Sequence, residues 1–237
     1  MDDPLALAEA YLESVRFDEP THEVCSSLAT LDRGTLRRAL STDEARLAFW
    51  INLYNATAQS MLAADPAVFD AKGSFFGSRL ATVAGESLSL DRIEHGMLRR
   101  SFPKWTFGYV PNPFPSAFER AFQVEERDPR IHFALNCGAA SCPPILAYER
   151  ARIESQLDLA TESYLRQEVT YDAEANRVTV PRLMLWFRGD FGGRAGTLAF
   201  LRQYDVIPDD ASPSLSYDSY DWSLAIGRFE SDSDGAV

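Results

Sequence analysis

The segment EARLAFWINLYNATAQSMLAA, residues 44–64, constrains the fold of this chain more than any other part of it. Its apolar side chains recur at helical spacing and cover more than one face, so the segment predicts a long helix that is buried on most sides. Ser41 and Glu44 have the spacing of a capping box, which predicts the start of the helix. Asp65 and Pro66 predict its end. The apolar positions are Leu47, Phe49, Trp50, Ile51, Leu53, Tyr54, Ala58 and Met61.

A polar stripe runs along this otherwise apolar helix. Asn52, Asn55 and Gln59 are three and four residues apart, so they lie on one side of it. A buried amide without a hydrogen-bond partner costs about 1–3 kcal/mol, so the stripe must find partners. Two interpretations are open: the stripe anchors neighbouring backbone, or it lines a functional site.

The rest of the chain predicts a helix-rich α+β fold with a small mixed or antiparallel sheet. Residues 1–229 are predicted to form a single domain, and residues 230–237 a flexible acidic tail. Further helices are predicted over residues 4–16, 33–40, 91–100, 116–124, 149–168 and 197–204. Strands are predicted as a pair within 80–90, at 131–136, at 178–180 and at the sheet edge near 220–224.

Composition narrows the classes of function. The formal net charge is −12, so nucleic acid and anionic membranes are not expected partners. Lys72 and Lys104 are the only lysines, and this excess of acid with little lysine leads us to expect either adaptation to high salt or an ordinary acidic protein. The N-terminal residues lack the pattern of a signal peptide, so we expect a cytoplasmic location. The oligomeric state is left open.

The segment RIHFALNCGAASCPP, residues 130–144, is the best candidate for a functional site. The alternation of apolar residues at its start predicts a strand, which ends near Cys137. The small residues Gly138, Ala139, Ala140 and Ser141 precede Cys142. Backbone N–H groups in such a loop can bind an oxyanion, so the loop predicts a ligand site beside a thiol.

The chemistry predicted for this site is that of a thiol nucleophile, Cys137, in a Cys-His-Asn arrangement acting on a small molecule or a peptide. His95 is the first candidate for the base and His132 the second, because an extended strand would place His132 roughly 16 Å from Cys137. Asn52 or Asn55 would orient the imidazole. Glu94 is an alternative acid or base.

Other interpretations remain beside this one. In one, Cys137 is a buried structural thiol and the protein is a non-catalytic interaction or scaffold domain. Cys137 and Cys142 could form a redox pair. His22 and Cys25 could join the two loop cysteines around zinc, but this spacing is only weak evidence for a metal site. Neither a metal nor another cofactor is predicted. Nucleotide-binding motifs are absent from the sequence.

Five blocks of sequence, in this order, resemble the domain-of-unknown-function 547 family over nearly the whole chain. The resemblance implies no established activity, and it is to the family's stand-alone, minimal form. It also implies that a cysteine at position 137 is usual, whereas Cys142 and His132 occupy variable positions. The blocks are FWINLYNA (49–56), SLDRIEHGMLR (89–99), DPRIHFALNCGAASCPP (128–144), WFRGDFGG (186–193) and YDWSL (220–224).

Overall fold

The computed structural model describes residues 3–230. The predicted tail at 230–237 lies outside the described residues except for Glu230. The helices are α1 (Pro4–Arg16), α2 (His22–Thr30), α3 (Arg33–Ala39), α4 (Asp43–Ala64), α5 (Lys72–Gly77), α6 (Ala117–Phe122), α7 (Ile153–Glu168), α8 (Arg182–Trp186) and α9 (Gly193–Gln203).

Helix α4 is the buried centre of the larger hydrophobic core, as its sequence predicts. Helix α1 packs along it. The N-terminal cap is Thr42 rather than the predicted Ser41, because the Thr42 hydroxyl accepts the backbone N–H of Ala45 at 3.4 Å. The helix ends at Ala64, just before Asp65, as predicted.

Two small sheets complete the fold, which confirms a helix-rich α+β class. Strands β1 (Ala81–Val83) and β2 (Glu86–Leu88) form the predicted antiparallel hairpin. In the second sheet, β4 (Arg177–Val180) pairs antiparallel with β3 (Thr170–Asp172) and parallel with β5 (Ser214–Tyr217). The edge strand predicted near 220–224 is wrong, because that segment makes only an isolated bridge from Leu224 to Ala139.

Two predicted elements have a different local structure. Arg92–Leu98 is a π-helix rather than an α-helix, a geometry that occurs frequently at functional sites. The predicted strand at 131–136 is wrong, because Pro129–Phe133 forms a 3₁₀-helix whose first turn is capped by the Asp128 carboxylate. Both faces of this short segment are buried, so its apolar pattern arises from burial rather than from a two-sided strand.

A second, smaller core joins β4 to α8 and α9. The 3₁₀-helix lies at the junction of the two cores, since Ile131 belongs to the larger and Phe133 to the smaller. The buried apolar residues that follow it pack in the larger core beside this junction, namely Ala134, Leu135, Cys137, Ala139 and Cys142. Within residues 3–230, the helices are all too short or too polar to cross a bilayer.

Candidate functional site

A cleft of about 430 Å³ lies where the two cores meet and is lined by residues of both. It brings Cys137, Cys142, His95, His132 and Glu94 to one place, although their elements are far apart in the chain. Its apolar wall is mainly aromatic. The remaining lining residues are Tyr54, Lys72, Gly73, Phe76, Asp91, Lys104, Phe107, Leu135, Pro143, Leu183, Trp186, Phe187, Tyr220 and Trp222.

The polar stripe of α4 anchors backbone and does not line this cleft. Asn52 donates to the carbonyl of Tyr148 at 2.8 Å and accepts the N–H of the same residue at 2.9 Å. Asn55 donates to the carbonyl of Ala134 at 2.9 Å and accepts the N–H of Asn136 at 2.8 Å. Because both amides bind backbone in this way and neither lines the cleft, neither is placed to orient an imidazole there as predicted.

The cysteine loop is closed by Asn136, which Gln59 of the same stripe holds through a 3.1 Å hydrogen bond. The Asn136 side chain accepts the N–H of Gly138 at 2.8 Å and donates to the carbonyl of Pro143 at 2.6 Å. The loop therefore turns back on itself, and its two cysteines meet.

The two thiols are in direct contact, with Cys137 Sγ and Cys142 Sγ 3.1 Å apart. Cys142 Sγ also accepts the backbone N–H of Cys137 at 3.2 Å and lies 3.3 Å from the hydroxyl of Tyr220. Both cysteines are free and buried. This arrangement gives Cys142 more hydrogen-bond donors than Cys137.

The hydrogen bonds give the two thiols different pKa values. Burial raises the pKa of Cys142, but the hydrogen bonds from Cys137, from Tyr220 and from the loop backbone outweigh burial and lower this pKa to about 7. The hydrogen bond with Cys142 and burial together raise the pKa of Cys137. Cys142, which receives the hydrogen bonds from Cys137 and Tyr220, therefore has the lower pKa of the two thiols, which favours it over the predicted Cys137 as the thiolate.

Most backbone N–H groups of the cysteine loop already donate to acceptors within the protein, whereas the predicted oxyanion site needs free N–H groups. Gly138 donates to Asn136, Ala140 donates to the carbonyl of Ser223 at 2.8 Å, and Ser141 donates to the carbonyl of Asp221 at 3.3 Å. The N–H of Ala139 instead lowers the pKa of both thiols through hydrogen bonding. The loop amides thus support its fold and its thiols rather than an open oxyanion site.

His132 forms a buried pair with an aspartate that sequence reasoning missed. Its Nε2 lies 2.9 Å from Asp190 Oδ2, and its ring stacks on Phe187 at 4.1 Å. Burial raises the pKa of Asp190, but hydrogen bonds from His132 and Arg99 outweigh it and hold this pKa well below its usual value. Because the ionised carboxylate only accepts, Nε2 carries the proton, and Nδ1 has no protein partner among residues 3–230.

The predicted base His95 is already engaged on both ring nitrogens. Arg99 Nη1 lies 3.0 Å from Nδ1, and because a guanidinium can only donate, Nδ1 must accept. The other nitrogen, Nε2, faces Asp91 Oδ1 at 3.5 Å. Glu94 lies 3.6 Å from Nδ1 and is buried beside it. His132 is therefore better placed than His95 to exchange a proton in the cleft.

The two site residues that the sequence did not predict, Asp190 and Tyr220, do lie in recognisable blocks of sequence. Asp190 stands in the block WFRGDFGG and Tyr220 in YDWSL, two blocks that carry the resemblance to a family. Asp190 also receives 2.6 Å hydrogen bonds from Arg99 Nε and Arg127 Nη1. An acidic residue between bulky aromatic residues predicts a buried, paired carboxylate, but no sequence pattern identifies which residues pair with it.

The zinc alternative is not supported by the placement of its ligands. In the described part of the chain, no group of three or more histidine, cysteine or acidic residues is arranged to hold a metal ion. Cys25 instead contacts Tyr11, and burial raises the pKa of this thiol. His22 and Cys25 therefore do not complete a four-ligand site with the loop cysteines.

A family model described as "Protein of unknown function, DUF547" matches residues 38–165, more than half of the chain. The chain belongs to the DUF547 family. The matched residues contain α4, the π-helix and the cysteine loop, whereas Asp190 and Tyr220 lie beyond them. Neither the curated proteins nor the solved structures compared with the chain include a match.

Proposed function

We propose that this DUF547 protein is a thiol-dependent hydrolase or acyltransferase that acts on a small or peptidic ester or amide. One observation carries the proposal: the Cys137–Cys142 pair lines the same cleft as His132, which pairs with Asp190 behind the lining. A thiolate beside an oriented imidazole can carry out covalent acyl transfer, and an aromatic wall can hold an apolar part of the substrate.

In this proposal Cys142 is the nucleophile and Cys137 is its hydrogen-bond donor. The reactive form of the site has a thiolate at Cys142 and a proton on Nδ1 of His132. The sulfur bonds to the acyl carbon, and the leaving group departs with the His132 proton. Water, or an acceptor alcohol or amine, then gives a proton to Nδ1 and attacks the thioester, so that the C–S bond breaks and the thiolate returns.

Asp190 has the positioning role that was predicted for an asparagine. Its carboxylate accepts from Nε2 of His132, so Nδ1 is the nitrogen left to face the cleft. Arg99 Nε donates to the same oxygen, Oδ2, and Arg127 Nη1 donates to Oδ1. An imidazolium at His132 is stabilised by this carboxylate, as in other nucleophile–histidine–acid arrangements.

The test uses 4-nitrophenyl butyrate as an acyl donor. We expect a burst of 4-nitrophenolate and a butyryl thioester on the peptide that contains Cys142. The matched control is C25S, because Cys25 lies away from the cleft; it should behave as wild type, whereas C142S should lose the burst. H132Q should lower turnover by about 10²–10⁴-fold.

Three results would count against this assignment. A thioester on Cys137 that persists in C142S would return the nucleophile to the residue that was first predicted. Equal hydrolysis by wild type and by the double variant C137S/C142S would contradict thiol catalysis. A folded protein with no reactive thiol would favour the non-catalytic scaffold.

A dithiol–disulfide function is the second candidate, because the two sulfur atoms are already 3.1 Å apart. Oxidation would pass two electrons and two protons to a partner disulfide, which would become two thiols. Trapping the thiols in glutathione buffers of increasing oxidation should then give a Cys137–Cys142 peptide with a measurable midpoint. The absence of that peptide in fully oxidised glutathione would contradict this function.

A further inference from the structure

Both lysines of the chain line the cleft, and no arginine does. Arginine supplies every other basic side chain. A lysine differs from an arginine in presenting a compact point charge on a flexible stem. The cleft therefore differs from the rest of the surface, where the cationic side chains are arginines.

The two lysines have different partners. Lys104 Nζ lies 3.0 Å from Asp91 Oδ2 and is thereby paired with a carboxylate of the protein. Lys72 Nζ donates to the carbonyl of Phe69 at 2.7 Å and lies over the rings of Phe69 and Trp222. In the part of the chain that the structure describes, Lys72 makes no ion pair with a carboxylate.

Lys72 can therefore offer donors to a ligand. An ammonium group has three N–H donors, and the Phe69 carbonyl uses one of them. The aromatic rings hold the cation through their faces without neutralising it. Burial lowers the pKa of Lys72, while the charges of Cys137, Asp70 and Cys142 oppose that effect, so Lys72 is within electrostatic range of both reactive sulfurs.

The charge balance of the cleft also differs from that of the molecule. The chain carries a formal net charge of −12, whereas the lysines that line the cleft are matched by only two carboxylates, Asp91 and Glu94. The Cys142 thiolate and the protonated His132 of the proposed site offset each other. Behind the lining, Arg99 and Arg127 share the single carboxylate of Asp190, which leaves one positive charge there. An anionic ligand thus meets less repulsion in the cleft than elsewhere on the protein.

We propose that the cleft selects substrates that carry a carboxylate near the reacting carbon, and that Lys72 is the residue that binds this carboxylate. The aromatic wall of Phe76, Trp186 and Phe187 would hold the apolar part of the same molecule. This inference rests on the proposed thiol function and specifies its substrate class. A carboxylate fits one ammonium group better than a phosphate does, since phosphate sites usually collect several donors.

The test compares two alkylating reagents of similar size, the anionic iodoacetate and the neutral iodoacetamide. In each reaction a thiolate sulfur bonds to the methylene carbon and iodide leaves. For each variant the iodoacetate rate is divided by its own iodoacetamide rate, which cancels any effect on thiol reactivity itself. The same ratio for free cysteine in the same buffer is the reference.

We expect the wild-type ratio to exceed that of free cysteine by about tenfold, which is the order of effect of one cation at short range. The ratio should fall to that of free cysteine in K72M and be largely kept in K72R. 3-Phenylpropionate should also protect the thiols from iodoacetamide better than 3-phenylpropionamide does, and this difference should disappear in K72M.

The outcomes separate this proposal from the one on which it rests. Rapid labelling by iodoacetamide with a ratio equal to that of free cysteine, or with a ratio unchanged in K72M, would overturn the carboxylate proposal and leave the thiol function intact. Failure of both cysteines to react with iodoacetamide in the folded protein would overturn both.

Discussion

Nε2 of His132 and Oδ2 of Asp190 lie 2.9 Å apart and join segments that are 58 residues apart in the chain. Both side chains are almost completely buried. The same carboxylate binds Arg99, whose side chain is only 1% exposed. A single aspartate therefore satisfies a buried cation and orients an imidazole of the cleft, so its removal should affect both stability and reactivity.

Replacing Asp190 with asparagine should lower the free energy of unfolding by about 3–5 kcal/mol, because Arg99 would then be a buried charge without a carboxylate. Urea unfolding at neutral pH measures this loss. E162Q is the matched control, since it removes the exposed Arg166–Glu162 pair and should change stability by less than about 1 kcal/mol. Equal losses in the two variants would contradict the role assigned to Asp190.

The ionisation of Asp190 should also make the stability of the fold depend on pH in the acid range. Its pKa in the folded protein is lowered from the usual 3.8, so its ionised form stabilises the fold fully above that value. This contribution is lost as the pH falls below 3.8 towards the folded pKa. Urea unfolding between about pH 5 and pH 3 should therefore show a smaller decline in D190N than in wild type. Parallel declines would rule out this linkage.

Alkylation of the cysteine pair should increase through a pH of about 7. Y220F removes a hydroxyl donor to Cys142 Sγ, and C137A removes the thiol donor. Both changes destabilise the thiolate, so both should raise the pKa and shift the profile to higher pH. Iodoacetamide rates with mass-spectrometric location of the label measure this shift. C25S should leave the midpoint unchanged, and an unchanged midpoint in Y220F would contradict the hydrogen-bond explanation.

Replacing Asn55 with alanine should lower the free energy of unfolding by about 2–6 kcal/mol. The carbonyl of Ala134 and the N–H of Asn136 would both lose their buried partner, at about 1–3 kcal/mol each. Urea unfolding measures the loss. The exposed Gln167 supplies the control, because Q167A should stay within about 0.5 kcal/mol of wild type. A loss of reactivity in N55A at unchanged stability would instead favour the catalytic interpretation of this residue.

Adaptation to high salt remains a prediction from composition. A net charge of −12 destabilises the compact state through self-repulsion, and salt screens that repulsion. We therefore expect the melting temperature to rise between about 0.1 M and 1 M potassium chloride, as the Debye length shortens from about 10 Å to 3 Å. A melting temperature that is unchanged or lower at 1 M would contradict this prediction.

The sequence alone determined the elements whose signals are local. The periodicity of residues 44–64 identified the central helix, and turn residues identified the β1–β2 hairpin. The spacing of Asn52, Asn55 and Gln59 identified a polar stripe that needs partners, because a helix places such positions on one side. The residue types of the cysteine loop predicted a ligand site there, and Cys137 and Cys142 of this loop line the cleft.

Only the tertiary structure decided which of these groups act together. It showed that the stripe holds backbone, that His132 lies on a 3₁₀-helix rather than on a distant strand, and that Asp190 is its partner. It also placed the Tyr220 hydroxyl within hydrogen-bond distance of Cys142 Sγ, and this hydrogen bond lowers the pKa of that thiol. Pairing across 58 or 78 residues leaves no periodic trace in a sequence, because it is set by how separate elements pack.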